Sequence, residues 1–179
     1  MEIIRIPVGY LAANCYIIFD EKTKDAVIID PGDEAEKILS IINKKQIKPL
    51  VVINTHSHFD HIGANKEIME KLNIKLFVPE KDGENKNFGA VEVKFLQTPG
   101  HSPDGISILI KNHLFSGDTL FYGSIGRTDL GGNREQILKS IKTKLFTLSK
   151  ETIVHPGHGP DTTIEEEMEN NPFFKGSTQ

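Results

Sequence analysis

The chain has 179 residues, 37 % of them hydrophobic, and a formal net charge of −4 at pH 7. That length fits one compact unit over residues 1–179 and leaves no room for a second catalytic domain. The composition excludes a largely disordered chain, the single cysteine excludes an internal disulfide and a cysteine metal cluster, and three arginines among 21 basic residues leave no electrostatic footprint for nucleic acid.

Three short β-rich segments come first, Glu2 to Pro7, Asn14 to Phe19 and Ala26 to Asp30, each rich in isoleucine or valine and separated by turn residues. No apolar run approaches the roughly 20 residues of a membrane span, and Glu2 and Arg5 interrupt the stretch where a secretory leader is apolar. A cytoplasmic protein with no membrane partner is therefore expected. Asp33 to Lys45 carries Ile38, Ile41 and Ile42 at helical spacing, with Asp33 positioned to cap the start. Leu50 to Ile53 is the continuous apolar run of a strand buried on both faces, and it stops abruptly at Asn54. Asp60 to Leu72 repeats a helical pattern through Ile62, Ile68, Met69 and Leu72. Lys81 to Lys86 reads as an exposed loop and Val91 to Leu96 as a half-covered strand.

Ile106 to Ile110 and Leu114 to Phe115 predict two more strands, with His113 as a surface histidine in the turn between them. Ile137, Leu138, Ile141 and Leu145 predict a helix, Thr152 to Val154 a last strand, and Glu165 to Glu169 the solvated face of a C-terminal helix. Cys15 reads as core. Pro172, Phe173 and Phe174 either cover the domain edge or meet a partner. Strands and helices are mixed in both halves, the pattern of an α/β (α+β) fold with helices layered on sheets.

The chemistry concentrates in Thr55-His56-Ser57-His58-Phe59-Asp60-His61, directly after the buried strand. Alternate residues on extended backbone point the same way, so His56 and His58 can converge on one point. Asp60 and His61 fall where the chain turns into a helix and can face a neighbouring point, so one loop can serve two metals. His101, Asp118 and His158 each follow a glycine, which permits a sharp turn at a strand end and projects the next side chain into a crevice. Imidazole and carboxylate without thiolate suit zinc, iron or manganese, with zinc modestly favoured.

The strings THSHFDHIG, TPGHSPDGI, SGDTLF and HPGHGPDTT resemble the successive motifs of the metallo-β-lactamase-fold hydrolases, and SIGRTDLGGN is similar to the small bacterial type of glyoxalase II, hydroxyacylglutathione hydrolase. The resemblance spans residues 30 to 171. It implies a four-layer αββα sandwich with a dinuclear site, in which His56, His58 and His101 hold the first metal, Asp60, His61 and His158 the second, and Asp118 bridges both. The bridging aspartate departs from the zinc β-lactamases and disfavours antibiotic hydrolysis. Two divalent ions sharing a water make hydroxide available at neutral pH, which implies attack on the carbonyl of a small-molecule thioester such as S-lactoylglutathione, with Asp60 also orienting the nucleophile.

The same resemblance gives Asp30 a role in orienting a ligand histidine through its second nitrogen, beside the alternative of a strand-ending turn cap. Arg127 sits where relatives carry a basic residue for glutathione, beside the alternative of an ion pair with Asp129. Longer glyoxalase II enzymes add a C-terminal helical domain that contacts glutathione, which this sequence does not contain. His155, close to His158, reads as a packing or ligand-orienting residue, and Ser57 and Ser102 as loop residues. An iron-dependent persulfide dioxygenase, using His56, His101 and Asp118, is the alternative, through the string Gly126-Arg127-Thr128-Asp129. The sequence leaves the oligomeric state open.

Overall fold

Antiparallel neighbours in sequence pair first. In the computed structural model, which describes residues 1–175, β1 (Glu2–Val8), β2 (Ala13–Phe19) and β3 (Asp25–Ile29) form a meander, continued in parallel by β4 (Lys48–Ile53) and β5 (Lys75–Phe77). Parallel neighbours need crossovers. These contain helices α1 (Ala35–Lys45), α2 (Phe59–Ile62) and α3 (Asn65–Leu72).

The second sheet contains β6 (Asn85–Phe88), β7 (Val91–Gln97), β8 (Ile106–Ile110), β9 (His113–Gly117), β12 (Ile153–Pro156) and β13 (Thr162–Thr163), in the spatial order β13-β12-β9-β8-β7-β6. Between β9 and its parallel neighbour β12 the chain makes a small hairpin, β10 (Leu120–Phe121) and β11 (Ser124–Ile125), and helix α4 (Arg134–Ser140), which runs into a π-helical turn at Ile141–Leu145. Helix α5 (Ile164–Asn170) follows β13.

Three apolar layers hold this together. Alternation along the strands sends Ile17, Phe19, Ile28 and Val52 to one face of the first sheet, against Ile38, Ile42 and Ile68 of α1 and α3. The opposite residues, Ile18, Val27, Ile29 and Ile53, meet Val93, Phe95, Ile108 and Phe115 of the second sheet. Leu114, Val154 and Leu96 on its far side are covered by Ile137, Ile141, Leu145, Ile164 and Phe174. The result is the expected αββα sandwich. All seven residues of β2 are buried, because that strand is interior to its sheet and covered on both faces.

Several local expectations change. Asp33 does not cap α1: Glu34 precedes the helix in a left-handed conformation, and the Asp33 carboxylate accepts only from the adjacent Glu34 N–H at 2.7 Å. The helix expected over Asp60 to Leu72 is broken into α2 and α3, because the Ala64 N–H donates to Pro31 O at 3.0 Å instead of continuing the first helix. Asn85 and Lys86, assigned to a loop, begin edge strand β6. Leu50 remains exposed, so burial on both faces starts at Val51.

The C-terminal acidic helix is not simply solvated. Glu167 is 1 % exposed, and its carboxylate accepts from Thr162 Oγ1 at 2.6 Å, Asn171 Nδ2 at 2.7 Å and the Gly123 N–H at 3.0 Å. It ties the β10–β11 turn to α5. Phe174 packs on Phe146 with ring centroids 4.8 Å apart, so the Phe173-Phe174 segment covers the outer edge of the third layer. Cys15 is fully buried. No helix among the described residues is long and apolar enough to cross a membrane.

Candidate metal centre

The seven predicted donors come together at one end of the sandwich, where β4, β9, β12 and the segment after β7 all terminate. Among the described residues, donor atoms of His56, His58 and His101, of His56, His61 and Asp118, and of Asp60, His61 and His158 lie within 4.8 Å of one another in each group. Shared membership links the three groups into one cluster.

The loop after β4 is shaped by polar contacts that the apolar pattern did not reveal. Asn54 Nδ2 donates to His61 O at 2.9 Å, and Asn65 Nδ2 donates back to Asn54 Oδ1 at 2.6 Å, folding the loop onto α2 and α3. Thr55 is anchored to Asp30 twice, by its N–H to Oδ1 at 2.7 Å and by its hydroxyl to Oδ2 at 2.6 Å. Asp30 is 1 % exposed and its Oδ2 also lies 3.0 Å from His61 Nδ1. The carboxylate thus sits between two site residues, the geometry expected of a group that orients a ligand histidine.

Hydrogen-bond partners assign the imidazole tautomers. A carboxylate or carbonyl oxygen only accepts, so a ring nitrogen facing one carries the proton and leaves the other nitrogen with its lone pair. His61 Nδ1 faces Asp30, His101 Nδ1 faces Arg127 O at 2.7 Å and His158 Nδ1 faces Leu11 O at 3.1 Å. The Thr55 hydroxyl donates to Asp30 and accepts from His56 Nδ1 at 3.0 Å. Four Nε2 lone pairs therefore turn inward.

Three nitrogens meet on one side of the cluster: His58 Nδ1 lies 3.0 Å from His56 Nε2 and 2.9 Å from His101 Nε2. With both Nε2 atoms bare, three nitrogens share one small space, and a single proton on His58 cannot serve them all. On the other side His158 Nε2 approaches Asp60 Oδ2 at 3.2 Å, and His61 Nε2 approaches Asp118 Oδ1 at 3.4 Å. Asp118 Oδ2 is 3.6 Å from His101 Nε2 and 3.7 Å from His158 Nε2, so this carboxylate faces both groups. His61 Nε2 and Asp118 Oδ1 are buried with no hydrogen-bond partner. Buried polar atoms are normally satisfied, and these two point at each other's group across a space suited to a cation. The donor set fits divalent metal ions.

Electrostatics follow the same geometry. Burial pushes the His56 imidazole down to about 4, with His61 adding repulsion. Burial works in the same direction on His61, but the Asp118 and Asp30 carboxylates overcome it and raise that group to about 10, so at neutral pH its Nε2 holds a second proton that a bound cation would displace. Asp118 is held at about 2 against the effect of burial, by His61 and the neighbouring imidazoles.

The three glycines before His101, Asp118 and His158 do two different jobs. Gly100 and Gly117 have φ of 142° and 51° and supply the sharp strand-end turns. Gly157 is required by crowding: a Cβ there would fall against Asp118 Oδ1 and 2.8 Å from His61 Cε1.

Sequence reasoning missed the residues that hold the His158 segment. Asn14 Nδ2 donates to Pro156 O at 3.0 Å and Gly159 O at 3.1 Å, the Asn14 N–H donates to Gly157 O at 2.7 Å, and Tyr16 Oη donates to Pro156 O at 2.7 Å. Two polar side chains inside the apolar run of β2 were the available signal. The Arg127 guanidinium lies at the surface, paired to Asp129 through Nε at 2.7 Å and Nη2 at 2.6 Å, while its carbonyl orients His101. His113 and His155 stay outside the donor groups. His113 is a half-buried residue opening β9, not a turn residue, and its Nδ1 lies 2.9 Å from His155 Nε2. His155 stacks on Phe115.

An αββα sandwich carrying a histidine–aspartate donor cluster at its strand ends defines a metallo-hydrolase class. The profile of the metallo-beta-lactamase superfamily matches residues 8–90 and 77–158, and the chain belongs to that superfamily. It is 39 % identical to the probable metallo-hydrolase YqgX of Bacillus subtilis, over 96 % of this chain and 97 % of that one. It is 35 % identical to the hydroxyacylglutathione hydrolase GloC of Haemophilus influenzae, over 99 % and 100 %.

Among solved structures, the BLEG-1 B3 metallo-beta-lactamase superposes with a TM-score of 0.91 at 35 % identity, covering 98 % of this chain and 100 % of that one. ETHE1 from Myxococcus xanthus gives 0.90 at 32 %, covering 96 % and 84 %. A di-iron-bound form of TTHA1623 gives 0.86 at 33 %, covering 95 % and 99 %.

Proposed function

We propose that the protein is a dinuclear metal-dependent thioester hydrolase of the glyoxalase II kind, acting on S-lactoylglutathione or a related hydroxyacyl thiol. The observation that carries this reading is the pair of donor groups joined by Asp118: His56, His58 and His101 would hold one ion and Asp60, His61 and His158 the other. The 35 % identity to GloC supports the choice of substrate class. Zinc is the favoured metal on donor chemistry, and the likeness to a di-iron structure keeps iron in view beside manganese.

Divalent ions held by these residues would lower the pKa of a bound water towards neutrality and polarise a carbonyl oxygen. The chain's own residues supply the rest. Asp30 and Thr55 fix the tautomers of His61 and His56, so that lone pairs and not protons face the site. Asp60 offers a carboxylate oxygen to the proton of the attacking water and thereby orients it. Hydrolysis forms one carbon–oxygen bond, breaks the carbon–sulfur bond and releases a carboxylic acid and a thiol. Arg127 is the proposed partner for a carboxylate of the thiol, which would exchange with Asp129 on the exposed guanidinium.

A second reading, persulfide oxidation at a single iron on His56, His101 and Asp118, is favoured equally by the ETHE1 likeness. One experiment separates the two. Metal-analysed protein is given S-lactoylglutathione, and glutathione release is recorded per mole of bound zinc, iron or manganese, beside oxygen uptake with glutathione persulfide. Metal-dependent release without oxygen uptake supports the hydrolase, and the reverse supports the dioxygenase. Under the hydrolase reading Asp118→Asn loses metal and turnover together, because a neutral amide bridges two cations poorly; full metal content with full activity would remove the bridging role.

A further inference from the structure

Beside the three-histidine group lies a cavity of about 490 Å³ that none of the donor residues except His56 shares. Its walls come from the two ligand-bearing segments, Asn54 to Ser57 and Pro99 to Gly105, and from the end of β5, where Leu76 and Val78 are 41 % and 68 % exposed. Ile62, Phe77 and Ile106 make the lining mainly apolar, with the amides of Asn54, Asn65 and Gln97 beside them. Apolar side chains exposed together at a cavity mouth are a mark of ligand-binding grooves. Among the described residues no lysine or arginine lines the cavity, and its one charged side chain is the Asp104 carboxylate.

We infer that this cavity is an acyl-chain subsite, taking the neutral aliphatic acyl group of a thioester of medium length. The inference rests on the thioester-hydrolase reading and adds to it the chemistry of the acyl group. Charge decides the occupant: an acidic lip and apolar walls repel the carboxylates of an anionic thiol, and they accept a hydrocarbon chain. Position decides the role. His56 is the wall that the cavity shares with the three-histidine group, so the alkyl substituent of a carbonyl held there would run past Ser57 towards Leu76. The hydrolytic step is the same: water adds to the carbonyl, the carbon–sulfur bond breaks, and fatty acid and thiol depart.

The test uses acetyl, butyryl, hexanoyl and octanoyl thioesters of N-acetylcysteamine, a small neutral thiol. With metal-loaded protein, kcat/KM is expected to rise at least about tenfold from acetyl to hexanoyl, a fraction of the roughly fourfold per methylene that complete burial would give. Leu76→Trp, which fills the cavity, is expected to bring that ratio within about threefold while metal content by elemental analysis stays at the wild-type level.

A second readout needs no turnover: binding of the octanoyl thioester to metal-free protein, followed by saturation-transfer NMR, is expected to be saturable and lost in Leu76→Trp. Hydrolysis indifferent to chain length, with no such binding, would overturn the subsite and leave the hydrolase reading intact. Length-dependent binding without hydrolysis of any thioester would overturn the hydrolase reading and support the cavity as an acyl-chain site.

Discussion

Replacing Asp30 by asparagine tests the link between a buried carboxylate and the metal centre. Asp30 accepts from the Thr55 N–H at 2.7 Å, the Thr55 hydroxyl at 2.6 Å and His61 Nδ1 at 3.0 Å. An amide offers one accepting oxygen and one donating nitrogen. The Thr55 N–H cannot rotate, so the amide oxygen stays with it and the NH2 turns towards the hydroxyl and His61. The hydroxyl rotates at little cost. His61 must instead present a bare Nδ1, which moves its proton to Nε2, the atom facing Asp60 and Asp118.

The inward lone pair is lost with no change in shape. Removing an orienting partner of this kind costs about 10- to 100-fold in metal affinity or activity, and the mismatched buried hydrogen bond costs about 1–3 kcal/mol of stability. On the proposed dinuclear reading, competition with a chromophoric chelator should show one bound divalent ion weakened by that factor and the other, at His56, His58 and His101, changing less. Urea unfolding of the metal-free variant checks the stability figure. Two ions bound with wild-type affinity would refute the tautomer argument.

Gly157→Ala places a methyl against Asp118 Oδ1 and His61, so metal content should drop below that of the wild type, measured by elemental analysis, with the far-UV circular dichroism spectrum retained. Glu167→Ala strands the Thr162 hydroxyl, the Asn171 amide and the Gly123 N–H; unfolding in urea should show a loss of about 2–4 kcal/mol, against less than about 0.5 kcal/mol for the exposed Glu169→Ala.

Acid should act partly through His155, whose pKa is lowered by burial against the opposing effect of Asp161, with His113 and Arg5 adding to the lowering. A histidine lowered on folding binds fewer protons than it does unfolded, so its share of the stability is present at neutral pH and is lost as pH falls below about 6.5. The urea midpoint of His155→Phe should therefore fall less between pH 7 and pH 5 than that of the wild type; parallel curves would contradict the assignment.

The seven donors were legible in the linear sequence because each depends on local geometry. Alternation on an extended loop carries His56 and His58, a helix start carries Asp60 and His61, and strand-end glycines carry His101, Asp118 and His158. The strands of both sheet interiors were legible for the same reason, since period-two burial is written in consecutive residues. Weak edges were not. β5, β6 and β13 are two to four residues long and take their conformation from a neighbour's hydrogen bonds.

What only the tertiary structure decided is the set of contacts between residues remote in sequence. Glu167 sits in an acidic run that reads as solvated, and it is buried because the β10–β11 turn folds onto α5 and gives it donors. Asn14 and Tyr16 lie in a segment read only as a β-rich strand, and they hold a segment 140 or more residues away. Arg127 reads as a cation for a substrate, and its backbone carbonyl, a group every residue possesses and no side-chain pattern can announce, also faces His101 Nδ1. The donor atoms that a cluster offers are local chemistry and can be read from residue type and spacing; their orientation is set by partners that meet only when the two sheets close.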